Sequence, residues 1–298
     1  MVKSIWVDYL GAEIKFVQGR KHRSRVAEAG RDHAETLVMV HGGGGHLETF
    51  ARNVVPLARH MRVVAVEMLW HGLSDCPPIG ESTLAQVTEQ VLDIIDTMGL
   101  GKVWLHGEAG GASAITPLVL DHPERLKGVI WETGIGMAFK EGGIEPPRAP
   151  VGGIPMGERT LQLLDNPTWQ AVKDRLLMVM HHDHPERVTD ELVDVRLAHY
   201  SRPSTNDGQR RYYQYSTSGK GRRFLASEER IAQIKLPTLV LWSDGSGGNG
   251  PDAGRRVASL IEGAQFKVLR DCGFWGHWEH PEVFNEAVRQ FVMGERVT

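Results

Sequence analysis

Cysteine, excess charge and long apolar runs are all scarce in this chain of 298 residues. Its two cysteines, Cys76 and Cys272, lie far apart without C-x-x-C spacing, so a reduced cytoplasmic protein is the simpler expectation. The formal net charge of −3 gives no electrostatic reason to expect nucleic acid or a membrane surface as a partner. No apolar run approaches the roughly 18 residues of a membrane-spanning helix, and the N-terminal residues lack the apolar stretch of a signal peptide.

One sequence motif lacks the serine that usually defines it. Residues 107–111 read Gly-Glu-Ala-Gly-Gly, the G-x-S-x-G frame of a nucleophile elbow with Ala109 in place of the serine. This frame holds one side chain on a strained turn between a strand and a helix. Because a methyl group cannot attack a substrate, the covalent chemistry of such a turn is not expected here.

Strands and helices alternate along the chain. Short apolar runs predict six strands, at residues 36–40, 62–66, 103–105, 128–131, 238–242 and 266–269. Helical patterns separate them, notably at 84–98 and 281–293. This alternation predicts an α/β protein with a mostly parallel sheet covered by helices on both faces.

One interval interrupts the alternation. No strand-like run occurs between positions 134 and 226, where a Pro/Gly-rich stretch at 142–157 precedes helical patterns at 161–164, 169–180 and 190–200. A helical insertion between two strands is typical of a cap over the carboxyl ends of a sheet, where ligands bind. We therefore expect a core of residues 1–134 and 226–298 and a helical cap of residues 135–225.

Four motifs in order carry a resemblance to a known family. They are HGGGG at 41–45, HGLSD at 71–75, GEAGG at 107–111 and CGFWGHWE at 272–279. With a cap of matching length, they make the chain similar to the α/β-hydrolases, and specifically to the meta-cleavage product hydrolases, which split C–C bonds in 2-hydroxy-6-oxo-dienoates from aromatic breakdown. The resemblance implies the α/β-hydrolase fold, no cofactor and a homo-oligomer, usually a dimer.

The resemblance also assigns the catalytic triad of the family, and every assigned position has lost its function. The serine falls on Ala109, the acid on Ser246 and the histidine on Phe274. A small shift of the alignment leaves Asp244 as an alternative acid and His277 as an alternative base. Classical serine hydrolase activity is therefore not expected, and Ala109→Ser alone is predicted not to restore hydrolysis.

Glu132 ends a predicted strand where the related haloalkane dehalogenases keep their triad acid. With no histidine assigned beside it, Glu132 is expected to be a buried, hydrogen-bonded carboxylate.

Other parts of the site remain. Backbone N–H groups of Gly43 or Gly44, together with that of Gly110, can form an oxyanion hole, although these glycines can also serve tight turns only. The resemblance implies that Arg196 and Trp275 grip the carboxylate end of the substrate. A surface salt bridge for Arg196 and plain core packing for Trp275 are the alternatives.

Glu108 stands where the resemblance implies a small polar residue. A carboxylate half-buried under a cap would have a raised pKa, which suits a general acid or base, whereas an outward-turned Glu108 would only pair with a cation. No metal is expected, because consecutive residues rarely converge on one ion. That expectation includes one histidine-rich run whose role stays open: His181, His182, Asp183 and His184.

Three classes of function compete. The first is a cofactor-free enzyme that uses an oxyanion hole and Glu108 for proton transfer on a small enol or keto carboxylate, by tautomerisation, C–C lysis or decarboxylation. The second is a C–C or ester hydrolase in which Glu108 or His277 activates water. The third is a pseudoenzyme that binds a small acid or a partner protein. The first is preferred, and fold alone cannot choose among them.

Overall fold

A computed structural model describes residues 4–140, 154–246 and 250–298 of the chain. Its central feature is an eight-stranded sheet in the order β1-β2-β4-β3-β5-β6-β7-β8. The strands are β1 (Glu13–Gln18), β2 (Arg23–Ala29), β3 (Thr36–Val40), β4 (Arg62–Val66), β5 (Val103–Glu108), β6 (Leu126–Glu132), β7 (Thr238–Ser243) and β8 (Gln265–Leu269). The first two strands are antiparallel to their neighbours, and the pairings from β4 to β8 are parallel.

Twelve α-helices lie within the described residues. They are α1 (Ile5–Asp8), α2 (Ala51–Leu57), α3 (Thr83–Thr97), α4 (Ala109–Asp121), α5 (Met156–Asp165), α6 (Trp169–Leu177), α7 (Asp190–Tyr200), α8 (Pro203–Thr217), α9 (Glu228–Ile231), α10 (Pro251–Leu260), α11 (Gly276–Glu279) and α12 (Pro281–Val292). Within these residues, no helix is long and apolar enough to cross a membrane.

The sheet is buried on both faces because helices cover both. All five residues of β3 and all six of β7 are buried, which explains why these strands are continuous apolar runs rather than alternating patterns. Two apolar clusters result, one on each face, centred on Leu37 and Met39 on one side and on Val38 and Val40 on the other. Alternate residues of one strand therefore feed opposite layers of the core.

The expected fold class is confirmed, and each of the six predicted strands is present. Two strands were missed: β1 and β2 form an antiparallel pair, and charged residues such as Lys15 and Arg25 interrupt their apolar pattern. The described residues between β6 and β7 contribute helices α5 to α9 and no strand to the sheet. Helix α8, which begins at a proline and is rich in polar residues, was also missed.

We use the name cap for helices α5 to α8, of which α5 packs on α8 and α6 on α7. The exact core and cap boundaries stay a prediction. The Pro/Gly-rich stretch at 142–157 lies outside the described residues up to position 153.

Candidate active site

The elbow turn keeps its strained backbone although it carries no nucleophile. Ala109 follows β5 and begins α4 with a φ of 44°, in the left-handed region that a residue with a Cβ seldom adopts. A Cβ added at Gly134 would lie 2.6 Å from the Cα of Ala109, so the chain after β6 packs closely against the turn. The tip of the elbow thus offers a methyl group at the carboxyl end of the sheet.

Three of the four amides in the glycine loop already have partners. The N–H of Gly42 donates to Glu108 Oε2 (2.6 Å), that of Gly44 to His71 Nε2 (3.0 Å) and that of Gly45 to the carbonyl of Gly42 (2.9 Å). Gly43 is therefore the loop residue whose amide is left for a ligand. The expectation that Gly44 supplies an oxyanion donor is wrong, because His71 already accepts its hydrogen bond.

Gly43 and Gly110 face each other across the site. A Cβ on Gly110 would lie 2.8 Å from the backbone nitrogen of Gly43 and 3.3 Å from Tyr212 Oη. Gly110 is in the first turn of α4, where the N–H groups have no partner within the helix. Gly110 thus packs against the amide of Gly43, which brings together the two residues that are expected to donate to an oxyanion.

A carboxylate and two histidines form a buried network at the end of β6. Glu132 accepts hydrogen bonds from His106 Nε2 (3.0 Å), His277 Nδ1 (3.0 Å) and the backbone N–H of His277 (2.9 Å). Burial alone would raise the pKa of Glu132, but His277 and His106 outweigh it and hold that pKa at about 2. The carboxylate is therefore ionised and fixes the orientation of both imidazoles.

His277 is left with one free nitrogen. Its Nδ1 donates to Glu132, whereas its Nε2 is buried and has no hydrogen-bond partner. Burial favours the neutral ring, yet the charge of Glu132 outweighs burial and raises the pKa of His277 above its usual value. A histidine oriented by a carboxylate, with its other nitrogen free, has the geometry of a general base.

Glu132 and His277 form a pair outside the assigned triad positions. The assignment of Phe274 to the triad histidine stays a prediction, and it is His277, three residues later, that pairs with a carboxylate. The expectation that Glu132 lacks a histidine to orient is wrong. Ser246 is buried and donates to the carbonyl of Ser243, and the side chain of Asp244 accepts from the backbone N–H of Cys272.

Glu108 is buried beneath the glycine loop rather than turned outward. Its Oε2 accepts from Gly42, and a Cβ on that glycine would lie 2.3 Å from the same oxygen. Burial raises the pKa of Glu108 to about 8, so the carboxyl is protonated at neutral pH. It can donate a proton or a hydrogen bond there, and outward pairing with a cation is excluded by its burial.

Arg196 is a buried cation with unused donors. Its Nε and Nη2 have no partner, and its guanidinium lies 5.0 Å from the ring centre of Trp275. Tyr200 and Tyr213 each have a buried hydroxyl without a partner. A Cβ on Gly44 would lie 2.6 Å from Tyr213 Oη, 3.3 Å from Tyr200 Oη and 3.8 Å from Arg196 Nη1, so the three side chains converge above the glycine loop.

An unpaired buried charge costs several kcal/mol, so this cluster is suited to an anion that arrives with the ligand. The planar fork of arginine and the two hydroxyls match a carboxylate.

Sequence reasoning missed the tyrosines because they come from the cap. Tyr200 ends α7, and Tyr212 and Tyr213 lie on α8, a helix whose polar sequence gave no apolar periodicity. The adjacent tyrosines in a polar helix were the available signal. For the missed pairing of Glu132 with His277, the available signal was a carboxylate at the end of a buried strand.

Contacts link these groups into one site. The ring of His277 is 6.1 Å from that of Trp275, which Arg196 covers. Arg196 lies close to the glycine loop at Gly44. The glycine loop in turn contacts the elbow, where Gly43 packs against Gly110. The described residues hold three clusters of metal-ligand types, none of which includes His277, Glu132 or Glu108. The site thus brings together a buried guanidinium with free donors, the glycine loop, a histidine with one free nitrogen and a protonated carboxyl.

The fold and the site define a class of protein, and comparison with known families agrees. Residues 35–281 match the model of the alpha/beta hydrolase fold family. The chain belongs to this family.

Among its relatives are hydrolases of meta-cleavage products. A 2-hydroxy-6-oxononadienedioate/2-hydroxy-6-oxononatrienedioate hydrolase of Pseudomonas putida is 30% identical over 269 residues, which is 87% of this chain and 88% of that protein. The resemblance found from the motifs is thereby confirmed, and hydrolase names among the relatives support the preference for an enzyme.

Two solved structures share the fold. A serine hydrolase from the polyaromatic hydrocarbon-degrading bacterium Cycloclasticus zankles has a TM-score of 0.80 at 20% identity, with 95% of this chain and 99% of that chain covered. A 2-hydroxy-6-oxo-6-phenylhexa-2,4-dienoate hydrolase from a Rhodococcus species has a TM-score of 0.78 at 19% identity, with the same coverage. At these identities the likeness shows the fold alone.

Proposed function

We propose that this protein is a cofactor-free enzyme that transfers protons on a small enol or keto carboxylate without forming a covalent intermediate. The observation that carries the proposal is the pair of Glu132 and His277, with its free Nε2, beside an elbow whose residue is Ala109. A base is present and a nucleophile is not. The chemistry that remains is proton transfer and activation of water.

Substrate binding begins at the cap. The carboxylate of the ligand pairs with Arg196 and accepts hydrogen bonds from Tyr200 and Tyr213, whose hydroxyls are otherwise unused. The ligand replaces the missing partners of these buried groups, so its binding removes a cost that the free protein bears. The substrate class also accords with the dienedioate name of the Pseudomonas putida relative.

Proton transfer then takes place at the other end of the ligand. His277 Nε2 accepts a proton from the enol hydroxyl or from the carbon beside the carbonyl, and Glu132 stabilises the imidazolium that forms. The electron pair moves to the carbonyl oxygen, which the amides of Gly43 and Gly110 hold as an enolate. The proton returns to carbon from His277, or from Glu108, which is protonated at neutral pH.

Hydrolysis through activated water is the second candidate. It is favoured by the relative that is named a hydrolase, and the free Nε2 of His277 suits a water molecule as well as an enol. The two candidates differ in their products. Proton transfer gives an isomer, a decarboxylated compound or, by C–C lysis, two fragments without oxygen from water. Hydrolysis gives two fragments, one with a carboxylate oxygen from water.

A screen of 2-hydroxydienoates and β-keto acids tests the proposal. Ultraviolet absorbance follows loss of the enol, and NMR identifies the products. We expect conversion by the wild type and binding without conversion by His277→Gln. Two fragments labelled from ¹⁸O-water would support hydrolysis instead. Saturable binding with no conversion of any acid would leave a ligand-binding pseudoenzyme.

A further inference from the structure

The histidine-rich run of the cap meets an aspartate of the core. His181 and His184 lie in the turn between α6 and α7, and Asp271 lies between β8 and α11. His181 Nδ1 is 3.7 Å from Asp271 Oδ1, and His184 Nε2 is 2.9 Å from Asp271 Oδ2. Ligand types that are about 90 residues apart in the chain thus converge at one point, and Asp271 has a left-handed φ of 58° there.

Hydrogen bonds fix the position of both imidazoles. His181 Nδ1 accepts a long hydrogen bond from the backbone N–H of Asp183 (3.3 Å), so this nitrogen is unprotonated, and zinc would take over its lone pair from that bond. His184 Nδ1 lies 3.0 Å from Glu186 Oε1 and donates to it, which turns Nε2 toward Asp271. A carboxylate behind a histidine is the usual outer-shell partner of a metal ligand.

We propose that His181, His184 and Asp271 bind one zinc ion that joins the cap to the core. Zinc takes nitrogen from histidine and oxygen from aspartate at about 2.0–2.2 Å in a tetrahedron, which places neighbouring ligand atoms roughly 3.3 Å apart. The observed separations of 2.9 and 3.7 Å lie on either side of this value. The fourth position is left for water.

Polar contacts hold the cluster together without an ion. His184 faces Glu186 with one nitrogen and Asp271 with the other. Arg187 also contacts Asp271 (3.0 Å), and Glu279, at 3.1 Å from Arg187, keeps this arginine paired when Asp271 turns to the ion.

Another cluster of ligand types is less suited to a cation. His46, Glu48 and His199 are buried near the glycine loop, but Arg25 already neutralises Glu48 at 2.6 Å. The charge of Arg196 also helps to lower the pKa of His46, after burial, to about 3. An arginine pairs with the carboxylate in both clusters, and Arg196 is the additional positive charge that disfavours a metal ion at this one.

The zinc site lies where the cap rests on the loop that leads into the active site. The backbone N–H of His181 donates to Glu279 (2.9 Å), and that of Phe274 donates to the carbonyl of Val179 (2.6 Å). The same loop continues into Trp275 and His277. A bound ion therefore fastens the cap to the segment that carries His277. It stabilises this contact between cap and core whether or not a substrate is bound.

Calorimetric titration of the EDTA-treated full-length protein with zinc chloride tests this inference. We expect one ion per chain and a higher thermal midpoint with zinc. His184→Ala and Asp271→Asn should abolish both effects, and Glu186→Gln should weaken zinc binding roughly 10- to 100-fold. His122→Ala is the matched control, because His122 also pairs with a glutamate, Glu124, at 3.5 Å, outside the cluster.

The possible results separate clearly. Loss of binding in His184→Ala and retention in His122→Ala support the site. No zinc binding by the wild type overturns it, as does binding that His184→Ala leaves unchanged. Loss of binding in His46→Ala, with His184→Ala unaffected, would move the ion to the buried cluster. His184 is partly exposed on a turn, so its replacement leaves the fold intact and keeps the test valid.

Discussion

His277 Nδ1 lies 3.0 Å from both carboxylate oxygens of Glu132, and the backbone N–H of His277 donates to the same carboxylate at 2.9 Å. The two residues come from β6 and from α11, which are 145 positions apart in the chain. Both are completely buried. An ionised acid that holds a histidine in this way is the acid–base half of a triad mechanism, and Ala109 at the elbow supplies no nucleophile.

Ala109→Ser should therefore create an esterase, which reverses the expectation from sequence. The serine would stand on an elbow that already has its strained φ of 44°, and we expect the free Nε2 of His277, which Glu132 orients, to activate it. We expect a burst of about one product molecule per active site from a chromogenic ester, followed by slow turnover. The double variant Ala109→Ser, His277→Gln serves as the control and should show no burst. A folded Ala109→Ser protein without a burst would show that His277 Nε2 does not reach the elbow.

The pH profile of turnover should rise with the deprotonation of His277 and fall with that of Glu108. The charge of Glu132 raises the pKa of His277, so the neutral base accumulates only above the usual histidine range. Glu108 loses its proton above a pKa of about 8 and then places a negative charge beside the enolate. Glu108→Gln should remove the alkaline fall and spare the acidic limb.

Glu132→Gln should change the acidic limb of the same profile. Glu132 is the largest of the charges that oppose the effect of burial on His277, so without it the pKa of His277 falls and the limb moves to lower pH. The maximal rate should drop as well, because the imidazolium loses its charged partner. Initial rates across pH 5 to 10 measure both effects, and a limb that stays in place would contradict the assignment of His277.

Glu108 should also make stability depend on pH. Its pKa is raised from 4.5 to about 8 in the folded protein, so the folded state holds a proton that the unfolded chain has lost between these values. Stability from this group is present below pH 4.5 and is lost as pH rises through about 8. Glu108→Gln should therefore raise the thermal midpoint more at pH 8 than at pH 5. Glu262→Gln, at an exposed position, is the control and should show no such trend.

Arg196→Met should strengthen the fold and weaken ligand binding. The buried guanidinium lacks partners for Nε and Nη2, and a methionine of similar length removes this cost. A carboxylate ligand should lose roughly 2–4 kcal/mol of binding free energy, and Tyr213→Phe about 0.5–1.5 kcal/mol. Thermal unfolding and calorimetry measure the two effects. Undiminished binding in Arg196→Met would place the carboxylate elsewhere.

The sequence predicted the six parallel strands of the sheet but not the two antiparallel strands at its edge. Continuous apolar runs such as Thr36–Val40 identify strands that are buried on both faces. At the edge, β1 is largely exposed and charged residues interrupt its pattern, so its periodicity is weak. Tertiary pairing, rather than local preference, determines that strand.

For the site, local motifs predicted where the glycine loop and the elbow lie. They could not predict which side chains pair when they are distant in the sequence. The glycine loop and the elbow were found because their glycines are neighbours in sequence. The partnership of Glu132 with His277 depends on how β6 and α11 meet, which no local motif contains. The same reason explains why the His181 run was judged without Asp271.

The most direct test of the central claim is deuterium exchange from D₂O into the acidic carbon of a 2-hydroxydienoate or a 2-oxo acid, followed by ¹H NMR. The wild type should catalyse exchange without acyl-enzyme formation, and His277→Gln should slow it by about 10²–10⁴-fold, the usual contribution of a placed base. Arg196→Met should reduce exchange through weaker binding. Exchange that persists unchanged in His277→Gln, or bound acids that never exchange in the wild type, would contradict the account.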